Sequence, residues 1–188
     1  MTHTIREVAI SEGEKYGWGL ILIHRKKLAE LLKALLEKKP DARILDVGAY
    51  KCLLYHWIDE IFPRKAYGWS YVGVDILGPF PEWEGKECYV MNAEALEFPP
   101  SSFDAALYIE SIEHVPNYVN ALREAYRVLR PGGLVFIQTT RCDTPNAIAD
   151  ETHFHVVHPV TMKRLLSWIG FTNIDYIDDP TMAIWGWK

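Results

Sequence analysis

Arg43-Ile-Leu-Asp-Val-Gly-Ala-Tyr-Lys-Cys52 is the stretch on which the reading of this chain turns. Arg43 to Val47 is a short buried strand, and Gly48 ends it. Helical spacing then resumes through Leu54, Ile58, Ile61 and Phe62, until Pro63 stops it. A strand that runs through a glycine turn into a helix offers backbone N–H groups to a ligand. The dinucleotide fingerprint G-x-G-x-x-G is absent, because Tyr50 stands where its second glycine belongs. A tyrosine there hinders the close backbone approach that a pyrophosphate needs, which weighs against NAD and FAD.

The pattern repeats on both sides. Upstream, leucines 28, 31, 32, 35 and 36 form a helical stripe that Pro40 closes. Downstream, Tyr71 to Asp75, Cys88 to Met91, Phe103 to Ile109 and Leu134 to Thr139 read as strands. A helix over Asn117 to Leu129 ends at Arg130-Pro-Gly-Gly133, since proline lacks a donor and glycine accepts left-handed angles. Pro159 opens a last helix, with Met162, Leu165, Leu166 and Ile169 on one face and Gly170 as its stop. Phe171 to Ile177 and Met182 to Trp187 follow with no helix between them, which suits antiparallel pairing. The expected fold is α/β: a Rossmann-like three-layer sandwich on a mostly parallel seven-stranded sheet whose last strand is antiparallel. One domain is expected over residues 1–188, with residues 1–40 as a helical cap or lid and 41–188 as the core.

In such sheets ligands bind beyond the carboxyl ends of the strands. Asp75, after the second strand, can accept bonds from two ribose hydroxyls or simply cap a turn. Ile76 can pack on a flat base. Asn92, after the third strand, reads as an Asx turn or as a partner for a base edge. The fourth strand runs into Glu110-Ser-Ile-Glu-His-Val-Pro116, whose acidic and hydroxyl groups can face an amino-acid moiety. His114 there is a candidate base, since a histidine can exchange a proton near neutral pH. The loop after the fifth strand carries His153, His155 and His158 beside Asp143, Asp150 and Glu151. Three readings stay open for it: ligands for a metal, a role toward substrate, or ordinary loop polarity. No metal is assigned, and His114 and His155 are the candidate catalytic residues. Tyr16, Trp18 and the loop Pro79 to Trp83 fit an aromatic lid, or cover for the core or for a dimer contact.

These segments, in this order, resemble the class I S-adenosylmethionine-dependent methyltransferases, in particular the small-molecule type 11 group. The resemblance runs from Arg43 to Tyr176. Its most specific piece is Leu122-Arg-Glu-Ala-Tyr-Arg-Val-Leu-Arg-Pro-Gly-Gly133, and Leu165-Leu-Ser-Trp-Ile-Gly-Phe171 resembles the usual penultimate helix and strand. The resemblance implies S-adenosylmethionine as cofactor. It places Asp46, Gly48, Ala49 and Tyr50 around the methionine part, with Glu110 and Ser111 near the same end. It gives Asp75 the ribose, Ile76 a face of the adenine, and Asn92, Ala93 and Glu94 the adenine edge. The family usually has glycines where this chain has Tyr50 and Cys52.

Methyl transfer from a sulfonium needs alignment and exclusion of water more than a dedicated base. The expected function is therefore methyl transfer to a small-molecule acceptor. The alternative is a catalytically silent relative that serves as a binding or partner subunit, which Tyr50 and Cys52 motivate. A net charge of −5 disfavours nucleic acid and anionic membranes as partners. The basic residues Arg25, Lys26, Lys27, Lys33, Lys38 and Lys39 read as the solvated face of the first helix. Gly19 to Ile23 is too short an apolar run to span a bilayer, and acidic residues precede it. The three cysteines lack metal-ligand spacing, so a reducing cytoplasm is the expected compartment, with a monomer or homodimer as the expected state.

Overall fold

A computed structural model describes residues 22–179 and 181–188. Tyr16, Trp18 and most of the proposed N-terminal cap lie outside the described residues. The chain runs α1 (Arg25–Lys38), β1 (Arg43–Val47), α2 (Leu53–Ile61), α3 (Arg64–Tyr67), β2 (Ser70–Asp75), β3 (Glu87–Val90) and β4 (Phe103–Ile109). It continues with α4 (Tyr118–Val128), β5 (Leu129–Thr139), α5 (Pro145–Ala149), α6 (Pro159–Ile169), β6 (Thr172–Asp178) and β7 (Met182–Trp187).

The strands form one seven-stranded sheet in the order β3-β2-β1-β4-β5-β7-β6. The pairs β1–β2, β1–β4, β2–β3 and β4–β5 are parallel. Strand β7 runs antiparallel to both β5 and β6, so the expected antiparallel last strand is present. The chain winds outward from β1 in one direction through β3 and then returns to place β4 on the other side. The switch point of the sheet therefore lies between β1 and β4.

Alternation along the strands builds the layers. Ile44, Ala105, Leu107, Leu134 and Phe136 face one side and pack with Leu28, Leu32, Leu36, Leu54 and Ile58 of α1 and α2. Leu45, Val47, Ala106, Tyr108, Val135 and Ile137 face the other side and pack with Leu122, Ala125, Met162 and Leu166 of α4 and α6. The central strands are buried on both faces, which is why they read as continuous apolar runs. On α1 four leucines of the stripe, Leu28, Leu32, Leu35 and Leu36, are buried and Leu31 is partly so, while the basic face is solvated and partly paired: Lys27 with Glu30, and Lys33 with Glu37.

Some boundaries differ from the sequence expectation. Strand β5 begins at Leu129, before the Arg-Pro-Gly-Gly break. Phe103 pairs with Leu129 and Ala105 with Leu134, so Arg130 to Gly133 loop out of register and pairing resumes after them. Gly132 takes a φ of +79° there. Helices α3 and α5 have no counterpart in the sequence pattern; each is about a single turn, too short to show a period. Asn117 caps α4 with its side chain, and His158 does the same for α6 ahead of Pro159.

Candidate functional site

The carboxyl ends of β1, β2 and β4 meet at the switch point, and Gly48 is where they touch. It sits at φ +83°, a conformation that glycine holds without strain. A Cβ built there would fall 2.3 Å from Cβ of Ser111, the residue that follows β4 and Glu110. Ser111 in turn donates its hydroxyl to the Val47 carbonyl at 2.7 Å. The Gly48 and Ala49 N–H groups donate to the Val74 carbonyl at 2.8 and 3.0 Å. Thus the loop after β1 is clamped between the ends of β2 and β4.

Tyr50 continues that loop at φ 42° and Cys52 at φ 57°. Both are non-glycine residues in left-handed backbone. The loop keeps the path glycines would give it, at a cost of roughly 1–2 kcal/mol per position. The local partners that hold this path are visible. The Tyr50 N–H donates to Oδ2 of Asp75 at 2.8 Å, and the Leu77 N–H donates to Oδ1 at 2.8 Å. The Tyr50 carbonyl accepts from the Trp83 indole N–H. The Tyr50 ring stands edge-on to Phe80 with centroids 4.9 Å apart, and Phe80 contacts Trp83 in the same way. Lys51 pairs with Glu82 at 3.1 Å. The segment after β2 is therefore an aromatic cover on the β1 loop, so the Pro79 to Trp83 part of the expected lid packs where the loop needs support. Beneath it the free thiols of Cys52 and Cys88 meet at 2.8 Å.

Asp46 lies under the loop, 3% exposed, and accepts a bond from the Tyr71 hydroxyl. Burial pushes its carboxyl up to about 7; the Tyr71 bond opposes this and the Asp75 charge adds to it. Ile76 is 68% exposed beside Asp75, open for a flat ring to cover. The Asn92 side chain accepts from the Glu94 N–H at 2.9 Å, which is the Asx-turn reading of that residue. Glu94 in turn accepts from the Asn117 N–H at 3.0 Å and its carbonyl from the Asn120 amide, so it fixes the start of α4. Ala93 packs against the α4 side of the core.

At the end of β4, Glu110 takes φ 46° and accepts from the Gln138 amide at 2.8 Å. Burial pushes its carboxyl up to about 8, and the neighbouring Glu113 adds to the rise. Glu113 is itself 1% exposed and accepts from the Thr139 hydroxyl at 2.9 Å. The next residue, His114, directs Nδ1 at the Thr152 carbonyl, 3.1 Å away.

The three loop histidines go to different places, so the alternating geometry of an extended segment does not apply. His158 accepts from the Val160 N–H with Nδ1, as a helix cap. His155 lies tilted on Tyr118 with centroids 4.0 Å apart, and its Nε2 is 3.1 Å from the Val115 carbonyl. Burial lowers its pKa. His153 meets His114, their ring centroids 4.9 Å apart. Glu113, Gln138, Tyr71 and Thr139 join the site although no pattern in the sequence singles them out as partners. Only the Glu-x-x-Glu-His spacing of residues 110–114 hints that Glu113 turns inward beside Glu110.

A parallel-centred sheet with a glycine clamp at its switch point, a carboxylate at the next strand end and no dinucleotide fingerprint defines a Rossmann-like domain of the methyltransferase type. A family model described as a methyltransferase domain matches residues 22–176, and the chain belongs to that family. It is 44% identical over 69 residues to the ubiquinone/menaquinone biosynthesis C-methyltransferase UbiE of Bartonella quintana, covering 35% of this chain and 26% of that protein. It is 41% identical over 100 residues to the demethylmenaquinone methyltransferase of Listeria monocytogenes, covering 49% of this chain and 41% of that one. The chain thus spans less than half the length of these curated relatives. Among solved structures, a SAM-dependent methyltransferase from Archaeoglobus fulgidus superposes with a TM-score of 0.69 at 19% identity, covering 95% of this chain and 99% of that one. The 1,6-didemethyltoxoflavin-N1-methyltransferase of Burkholderia thailandensis, solved with S-adenosylhomocysteine, superposes with a TM-score of 0.62 at 18% identity, covering 100% of this chain and 92% of that one. Among the described residues, no helix is long and apolar enough to cross a membrane.

Proposed function

We propose that this chain binds S-adenosylmethionine across the ends of β1, β2 and β4 and transfers its methyl group to a small-molecule acceptor. The observation that carries the reading is the contact of Gly48 with Ser111, which leaves the backbone at the switch point bare of side chain. Bound there, the cofactor supplies a sulfonium whose methyl is already activated by its leaving group. The chain's own part is to bind and orient. The Asp75 carboxylate uses one lone pair per oxygen on the loop N–H groups and keeps the others for ribose hydroxyls. Exposed Ile76 offers an apolar face to the adenine. Asp46 and Glu110 offer carboxylates to the methionine ammonium, and the aromatic cover of Tyr50, Phe80 and Trp83 shields the loop from water.

The glycine-like path of Tyr50 and Cys52 favours this reading over a silent binding subunit, because the loop keeps its shape without the glycines. The curated relatives support the reaction class. They align over half of this chain or less, so their quinone acceptors are one candidate class for this one. Calorimetric titration with S-adenosylmethionine and S-adenosylhomocysteine tests the proposal. Micromolar binding, about −8 kcal/mol, is expected, weakened at least about tenfold in Asp75→Asn as a charge-assisted bond becomes neutral. Absence of heat, with no thermal shift, removes the cofactor reading and favours the partner-subunit alternative.

A further inference from the structure

Beside the proposed cofactor site lies a group of side chains that this reading does not use. Glu113, His114 and His153 each offer one candidate ligand atom, and these atoms lie within 4.8 Å of one another. Chemistry fixes what the histidines present. His114 Nδ1 is 3.1 Å from the Thr152 carbonyl, and His153 Nδ1 is 2.7 Å from the Ala147 carbonyl. A carbonyl oxygen only accepts, so each Nδ1 carries the hydrogen of its ring. A neutral imidazole then bears its lone pair on Nε2. With each Nδ1 turned to a carbonyl, Nε2 is the ring atom left to accept, and with the buried Glu113 carboxylate these groups form an acceptor set that a cation satisfies.

The surroundings hold the group in place. Carbonyl acceptors on the far side of both rings are the arrangement that orients metal-binding histidines. Glu113 is anchored by the Thr139 hydroxyl, and its carbonyl accepts the Phe154 N–H at 2.9 Å, which ties the histidine loop to the β4 turn. A further carboxylate, Asp150, lies 3.8 Å from His153 Nε2.

We propose that Glu113, His114 and His153 form a binding site for a divalent transition-metal ion, between the turn after β4 and the loop after β5. Two imidazoles and one carboxylate suit zinc, manganese or iron rather than magnesium or calcium, which prefer all-oxygen sets. Three protein ligands leave positions open to water or to another ligand. The site stands on its own geometry; its role rests on the methyl-transfer reading. In that role an open position takes an oxygen of the acceptor, such as a hydroxyl. A hydroxyl on the ion ionises more readily, its proton passing to solvent. The acceptor class is thereby narrowed to molecules with a ligating oxygen near the methylated atom.

The test uses untagged protein stripped with a chelator. Zinc is titrated calorimetrically, and cobalt by its visible ligand-field absorption. The expected result is one ion per chain, with affinity falling at least about tenfold in His114→Ala and in His153→Ala. His114 is exposed, so its variant is expected to fold. His56→Ala, on α2, serves as the control and is expected to bind zinc as the wild type does. Absence of binding, or binding that neither histidine variant weakens, overturns the site and leaves the group a proton-sharing cluster. S-adenosylhomocysteine is titrated into the same stripped protein. Zinc binding without cofactor binding keeps the site and removes its role, whereas cofactor binding without zinc binding removes the site and spares the methyltransferase reading.

Discussion

The two ends of the sheet treat buried carboxylates in opposite ways. At the amino end, Asp104 is 4% exposed and meets two cations, Lys39 at 2.8 Å and Arg130 at 2.6 Å, besides the Arg43 backbone N–H at 2.8 Å. At the carboxyl end, Asp46, Glu110 and Glu113 are met by a phenol, an amide and a hydroxyl, all uncharged. Burial accordingly pushes Asp46 and Glu110 up toward neutrality. An ion pair completes one end, while the other end keeps acidic groups whose charge is best satisfied by something that arrives. Stability is expected to live at the amino end and ligand chemistry at the carboxyl end.

The sharpest way to break this contrast is Asp46→Asn. With a folded pKa near 7, Asp46 holds its proton more tightly in the native state than in the unfolded chain. Its contribution is therefore full below about pH 4 and is lost as pH rises toward 7. The loss is at most about 4 kcal/mol across that window. The asparagine in the variant keeps an oxygen for the Tyr71 hydroxyl and has no proton to lose. Urea unfolding from pH 4 to 7.5 is expected to show stability falling with pH in the wild type and a shallower slope in the variant. Glu110 keeps its own share of the slope. Identical slopes would mean that the Asp46 carboxylate is already charged at neutral pH by some other partner.

Asp104→Ala probes the other end. It strands Lys39 and Arg130 and leaves the Arg43 N–H without its acceptor. Breaking a fully buried pair costs about 3–5 kcal/mol, and the solvent exposure of both cations reduces this to about 2. Cofactor affinity is expected to stay within about twofold, since the substitution lies at the far end of the sheet. A loss of affinity that tracks the loss of stability would show that the two ends are not separate in function.

These contrasts are unevenly legible in the sequence. Gly48 and Asp75 stand out because a strand end, a glycine turn and a strand-terminal carboxylate are local patterns. The antiparallel β6–β7 pair is legible because no helix separates the two strands. The Asp104 ion pairs are not, since Lys39, Arg43, Asp104 and Arg130 meet only through the sheet order. Glu113 and His153 come together for the same kind of reason, across the β4 turn and the loop after β5. The spacing of His153, His155 and His158 points to one extended face, but the loop turns, and each ring finds a different backbone carbonyl or N–H. The Arg-Pro-Gly-Gly break reads as a helix end, and its second role as a bulge inside β5 depends on pairing with Phe103.

The smallest effect expected is at Tyr50, and it sharpens the carboxyl end itself. The loop there has left-handed backbone at Tyr50, Cys52 and Glu110, while Gly48 alone among its neighbours is a glycine that takes such angles freely. Tyr50 contributes its N–H to Asp75 and its carbonyl to Trp83, and neither bond depends on the side chain. The ring, 40% exposed, contributes an edge contact with Phe80. Asparagine tolerates left-handed angles better than tyrosine does, so Tyr50→Asn relieves about 1 kcal/mol of backbone strain. It also removes an aromatic contact of about 0.5–1.5 kcal/mol. The two nearly cancel, and stability is expected to change by less than about 1 kcal/mol, with S-adenosylhomocysteine affinity within about threefold of the wild type. Such a result would place the contribution of Tyr50 in its backbone. A tenfold loss of affinity with unchanged stability would instead make the ring a wall of the cofactor pocket, and the aromatic cover part of the recognition surface rather than its support.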